Sequence, residues 1–177
     1  MTSAEQPRPS VVLVGPPGAG KTTIGRRLAR VLNQTFVDSD SVIEQRAGKT
    51  CAEIFADSGE DAFRELEAEI IAEALHEPGV LALGGGAVIH EGTRGLLGEQ
   101  TVVFVDVSDE TGIERTTRPH NRDQRPLLAG ADANERYRKL MAQRRPLYRE
   151  VADYRARTEQ RSPQQVVADI LGFLETL

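Results

Sequence analysis

Eight residues near the start of the chain, "GPPGAGKT" from Gly15 to Thr22, carry the clearest chemistry in the sequence. They fit G-x-x-x-x-G-K-[ST], a loop in which glycines let backbone N–H groups turn inward around phosphate. Gly15, Gly18 and Gly20 supply that freedom, with Ala19 and Thr23 in the same phosphate-facing stretch. Lys21 offers a point charge to the β- and γ-phosphates, and Thr22 offers a hydroxyl to Mg²⁺. The flanking residues give the loop its required setting. "VVLV" (Val11 to Val14) reads as a buried strand, and Ile24, Leu28 and Val31 recur at helical spacing behind the loop. The N-terminus of that helix adds its own attraction for phosphate. A nucleoside triphosphate is the expected ligand. No N-K-x-D guanine-reading motif is present, and the chain is short for a motor-type ATPase, so a small kinase fits best.

A kinase of this kind needs a carboxylate near the metal. Two candidates compete. "VVFVD" ends in Asp106 and is the better apolar-strand pattern; "FVDSD" places Asp38 and Asp40 after another strand. Residues two apart on extended chain point the same way, so that pair can share one task. Either candidate can also be a turn or helix cap.

Two further features stand out by type. "LALGGGAVIH" sets Gly84, Gly85 and Gly86 in a row after an apolar run. Such a run marks either a close approach to the backbone or a bulge. Arg64 is the only basic residue between Lys49 and His76, in an acidic stretch; by spacing alone it pairs with Glu60 at i,i+4.

The remaining sequence must position these residues. It predicts strands at Val11 to Val14, Thr35 to Asp38, Val80 to Leu83, Thr101 to Val107 and, weakly, Tyr154 to Arg157. Between them it predicts helices over Lys21 to Asn33, Asp40 to Arg46, Cys51 to Asp57, Glu60 to His76, Glu91 to Leu97, after Ser108, and over Ala133 to Arg145. A last helix opens at Ser162-Pro163. Gly48 closes one helix and Thr50 caps the next. Met1 to Pro9 reads as a disordered tail, and Arg118 to Gly130 as an exposed loop. Continuous apolar strands alternating with helices argue for a parallel sheet covered on both faces.

The bulk properties agree. A chain of 177 residues and 39% hydrophobic content suits one domain with one core. The net charge of −5 disfavours nucleic acid, whereas arginines clustered at Arg115 to Arg125 and Arg136 to Arg149 suit a small anion. The single cysteine, Cys51, precludes an internal disulfide, and neither a signal peptide nor a run of about 18 apolar residues is present. A cytoplasmic monomer, bound to neither membrane nor nucleic acid, is expected.

Six segments in order, "GPPGAGKTTIGRRLA", "FVDSDSVIEQRAGKT", "IFADSGEDAFRELEAE", "LALGGGAV", "RPLLAG" and "MAQRRPLY", make the chain resemble the shikimate kinases from about Val11 to its final helix. The resemblance implies a three-layer α/β P-loop kinase fold with a five-stranded parallel sheet in the order 2-3-1-4-5. It implies a substrate-binding region over residues 40–77 and a lid over 118–129. The implied reaction moves the γ-phosphoryl group of ATP to the 3-hydroxyl of shikimate, with Mg²⁺ as cofactor. The implied roles place Asp38 by the magnesium waters and Asp40 on substrate hydroxyls, and leave Asp106 outside the site. Gly84, Gly85 and Gly86 become a wall of the acceptor pocket. Arg64 and Arg144 become carboxylate clamps, with Arg145 the alternative to Arg144. Arg125 becomes the lid arginine, with Arg118 or Arg122 as possible helpers in a longer lid, and Arg115 and Arg161 flank adenine. Lys21, Asp40 and Arg125 are then the catalytic residues. The other readings are a second small-molecule kinase of the same fold, acting on gluconate or a nucleoside monophosphate, or a nucleotide-binding regulator.

Overall fold

Alternate residues of the central strands face opposite sides of one sheet, and both sides are apolar. In the computed structural model, which describes residues 5–116 and 132–177, β1 (Val11–Val14) sends Val12 and Val14 into one core cluster and Val11 and Leu13 into another. β4 (Val102–Asp106) divides in the same way, Val102 and Phe104 against Val103 and Val105. This is the two-residue period of a strand buried on both faces. With β2 (Phe36–Asp38), β3 (Val80–Ala82) and β5 (Tyr154–Arg157), they form a five-stranded sheet in the order β2-β3-β1-β4-β5, and every pairing is parallel. The expected order is the observed one.

Helices fill the two outer layers. α1 (Lys21–Val31) and the last helix, α7 (Pro163–Leu174), cover one face through Ile24, Leu28, Val166 and Ile170. The other face is covered by α3 (Cys51–Ala74), α4 (Glu91–Leu97), α5 (Asp109–Thr116) and α6 (Ala133–Val151), through Ile71, Leu97, Ile113 and Met141. α2 (Ser39–Ala47) joins α3 through a third, smaller cluster of Ile43, Ile54, Phe63 and Ile70. That cluster is the floor under the region expected to bind substrate.

Several local signals act as read. Gly48 ends α2 in the left-handed region, the Thr50 side chain caps α3, and Ser162 opens α7 with a capping box. Gly59 (φ 85°) breaks α3 between the two helices expected there. One boundary differs by more than two residues. α6 does not stop at Arg145 but runs through Pro146 to Val151. Proline removes a helix hydrogen bond. Pro146 and Ala142, whose carbonyl loses its donor, both face solvent, and the turn beyond is held by fully buried Tyr148. Of the expected tail, residues 1–4 lie outside the described residues. Pro9 is already buried, and the Ser10 amide donates to the Gly79 carbonyl at 2.8 Å. The expected lid, with Arg118, Arg122 and Arg125, also lies outside the described residues. No helix among the described residues is long and apolar enough to cross a membrane.

Candidate active site

The carboxyl ends of β1, β2 and β3 open into one cleft of about 610 Å³. The loop after β1 forms one half of it. Gly15 has no room for a side chain, since a Cβ there would overlap the Val105 carbonyl of β4. The loop is anchored from outside as well. The Arg115 guanidinium of α5 donates to the Gly18 carbonyl at 2.8 Å, and the Tyr137 hydroxyl of α6 donates to the Pro17 carbonyl at 3.0 Å. Lys21 begins α1, and its Nζ donates to the carbonyls of Gly15 (2.7 Å) and Pro16 (2.9 Å). It lies folded over the loop that it would share with a phosphate. Gly18, Ala19, Gly20, Thr22 and Thr23 line the cleft, as do Arg115 and Arg161; Arg161 also pairs with Asp169 at 2.7 Å.

Asp38 ends β2 and caps α2, accepting the Asp40 amide at 2.9 Å. Its other oxygen accepts the Thr22 hydroxyl at 3.2 Å. Two hard oxygen donors thus meet beside the phosphate loop. No group of three or more His, Cys, Asp or Glu among the described residues could hold a metal. Two oxygens suit an ion that keeps most of its waters and arrives with phosphate, as Mg²⁺ does.

Asp40 lies deeper. Burial, then the neighbouring charges of Asp38 and Glu67, push its carboxyl up to about 7. Glu67 was not singled out from the sequence. It is 2% exposed and accepts the Arg64 guanidinium at 2.9 Å, one turn along α3. Its burial raises its pKa, against the lowering effect of Arg64. The signal was present: Glu67 stands four residues after Phe63 and three before Ile70, on the apolar stripe of α3. The expected Arg64–Glu60 pair exists at 3.8 Å and is secondary to Glu67.

The glycine run packs against these side chains. A Cβ on Gly84 would come within 2.7 Å of Asp40 Oδ1, one on Gly85 within 2.9 Å of Pro17 Cδ, and one on Gly86 would overlap the Arg64 guanidinium. The close approach inferred from sequence is therefore first an approach by the protein's own residues. The Gly84 amide is also occupied, donating to Ser39 Oγ at 3.0 Å.

The two neighbouring arginines of α6 go opposite ways. Arg144 is buried, lines the cleft, and its Nε has no hydrogen-bond partner. Burial lowers its pKa, and the like charge of Arg64 lowers it further. Arg145 points to the other side, donating to Asp106 at 2.5 Å, Asp109 at 2.7 Å and the Val107 carbonyl at 2.8 Å. Asp106 also accepts Arg155 Nε at 2.7 Å. Both the alternative clamp and the alternative metal carboxylate are thus consumed by one ion network behind the site.

The shikimate kinase family model matches residues 17–175. The chain belongs to the shikimate kinase family. A shikimate kinase of Corynebacterium diphtheriae is 61% identical over 170 residues, covering 96% of this chain and 96% of its own. That of Corynebacterium efficiens is 59% identical over 168 residues, covering 95% and 98%. Among solved structures, the shikimate kinase from Acinetobacter baumannii in complex with shikimate has a TM-score of 0.87 and 38% identity, over 97% of this chain and 95% of that one. Membership of the shikimate kinase family spans both halves of the cleft, the phosphate loop and the α6 arginines alike.

Proposed function

We propose that this cleft transfers the γ-phosphoryl group of ATP to the 3-hydroxyl of shikimate, with Asp40, Arg64 and Arg144 receiving the acceptor. The observation that carries the residue assignment is Arg144. A buried guanidinium with an unpartnered Nε, facing the same cleft as the phosphate loop, calls for an anionic ligand. Charge supports that choice. Glu67 neutralises Arg64, whereas Arg144 has no ion pair among the described residues, which leaves its charge for a substrate carboxylate that guanidinium meets with two parallel hydrogen bonds.

Asp38 and Asp40 then differ in task. Asp38 is held by Thr22 and by the Asp40 amide, on the metal side. Asp40, whose carboxyl is pushed up to about 7 by burial and by the charges of Asp38 and Glu67, is suited to hold the acceptor hydroxyl and take its proton as the new P–O bond forms. The bond from the γ-phosphorus to the bridging oxygen breaks, and ADP leaves. Mg²⁺, carried in on the nucleotide, supplies charge neutralisation on the phosphate oxygens. Lys21 turns from its loop carbonyls to the same oxygens. A loose transition state asks mainly for such positioning and charge, which preformed donors provide.

The test is ADP release with Mg-ATP in the presence of shikimate, with Arg144→Ala beside the parent. Loss of shikimate affinity without loss of ATP affinity supports the assignment.

A further inference from the structure

We infer that Tyr137 is a positioning residue for the nucleotide: its hydroxyl holds the Pro17 carbonyl outward, and so aims the Gly18 N–H into the cleft at a phosphate. The inference rests on the reading of Gly15 to Thr22 as a phosphate loop.

This end of the loop has few N–H groups to offer. Pro16 and Pro17 carry none, and the Ala19 N–H donates to the Pro16 carbonyl at 3.2 Å. The Gly18 N–H has no acceptor among the described residues, and Gly18 lines the cleft. That N–H shares one peptide plane with the Pro17 carbonyl. In a planar trans peptide the N–H and the C=O point opposite ways, so fixing the carbonyl fixes the direction of the N–H.

Tyr137 Oη donates to the Pro17 carbonyl at 3.0 Å. Its ring is fully buried in the core cluster that holds Ile113 and Met141, so packing rather than the loop sets where the hydroxyl lies. α5 makes room for it: a Cβ on Gly112 would lie 1.9 Å from Tyr137 Oη. The next carbonyl, that of Gly18, is held by Arg115 of the same helix at 2.8 Å. Those of Gly15 and Pro16 are held by Lys21. Lys21 gives up both when it turns to a phosphate, whereas Tyr137 is built into the core and keeps its own.

Tyr137→Phe keeps the ring and leaves the carbonyl without this donor. Steady-state kinetics with each substrate varied should show the ATP KM raised about 3- to 10-fold, as for loss of one hydrogen bond, with the shikimate KM within about twofold. The ADP dissociation constant, measured by calorimetry, should rise by the same factor. The inhibition constant of adenosine against ATP should stay within about twofold, because adenosine has no phosphate to meet the N–H. An unchanged ATP KM and ADP dissociation constant would overturn the inference. So would an equal rise for adenosine, or for both KM values, since either marks a general loosening of the fold. If Lys21→Ala itself leaves ADP binding unchanged, the phosphate-loop reading falls first and the role of Tyr137 with it.

Discussion

The backbone amide of Asp40 donates to the carboxylate of Asp38 at 2.9 Å. Two acids of the same type, two residues apart, are thereby given different environments. Asp38 is the acceptor at a helix N-terminus and also receives the Thr22 hydroxyl. Asp40 is enclosed by Asp38, Glu67 and Glu44, with Lys21 the opposing charge, and holds its proton up to about pH 7. The unfolded chain releases that proton near 3.8, so between these values the folded state binds more protons and stability falls as pH rises.

Asp40→Asn should therefore abolish turnover yet stabilise the ligand-free protein. At pH 8 the gain over the parent should be about 1–3 kcal/mol, shrinking towards zero near pH 4. Denaturant unfolding at the two pH values checks it; a variant less stable than the parent at pH 8 would show that Asp40 is not under electrostatic stress. For the parent enzyme, kcat/KM for shikimate should rise about tenfold per pH unit below about 7 and level above it.

The Arg144–Arg145 pair should separate binding from stability. Arg144→Ala is expected to raise the shikimate KM by about 100-fold with the ATP KM little changed, as for loss of a buried charged partner. Arg145→Ala should leave both KM values near the parent's and cost about 1–3 kcal/mol of stability, since Asp109 keeps only Arg138 at 3.8 Å and Asp106 keeps only Arg155. Kinetics and thermal unfolding on the two variants decide it, and an exchange of their phenotypes would put Arg145 in the site.

Gly86→Ala must displace the Arg64 guanidinium. It should raise the shikimate KM about tenfold or more while ATP binding persists, as expected where about 1 Å of misplacement is costly. Gly95→Ala is the matched control. Its Cβ meets nothing within 4 Å on α4, so it should be fully active and more stable by about 0.5–1 kcal/mol. Equal kinetics for the two variants would remove the packing account of the glycine run.

Much of this site was legible because its chemistry is contiguous. The helix caps at Thr50 and Ser162 act through neighbours a few residues away, as their spacing implies, whereas Asp38 caps α2 and Asp40 already lies in that helix, so the two do not share one extended stretch. What stayed hidden depends on contacts between distant segments. Glu67 reads as one more acid until α3 turns it inward to Arg64. Tyr148 reads as core until its hydroxyl is found on Gly85, 63 residues away. Asp106 has the pattern of a metal carboxylate, and only the fold shows two arginines occupying it. Proline at 146 gave a stop signal that tertiary packing overrode.

The measurement closest to the central claim is ADP release with Mg-ATP, first alone and then with shikimate, gluconate or AMP in turn. The account expects a large rate with shikimate only and a small background otherwise. A rate independent of shikimate, or greater with gluconate or AMP, would contradict it and leave only a phosphate loop without an identified acceptor.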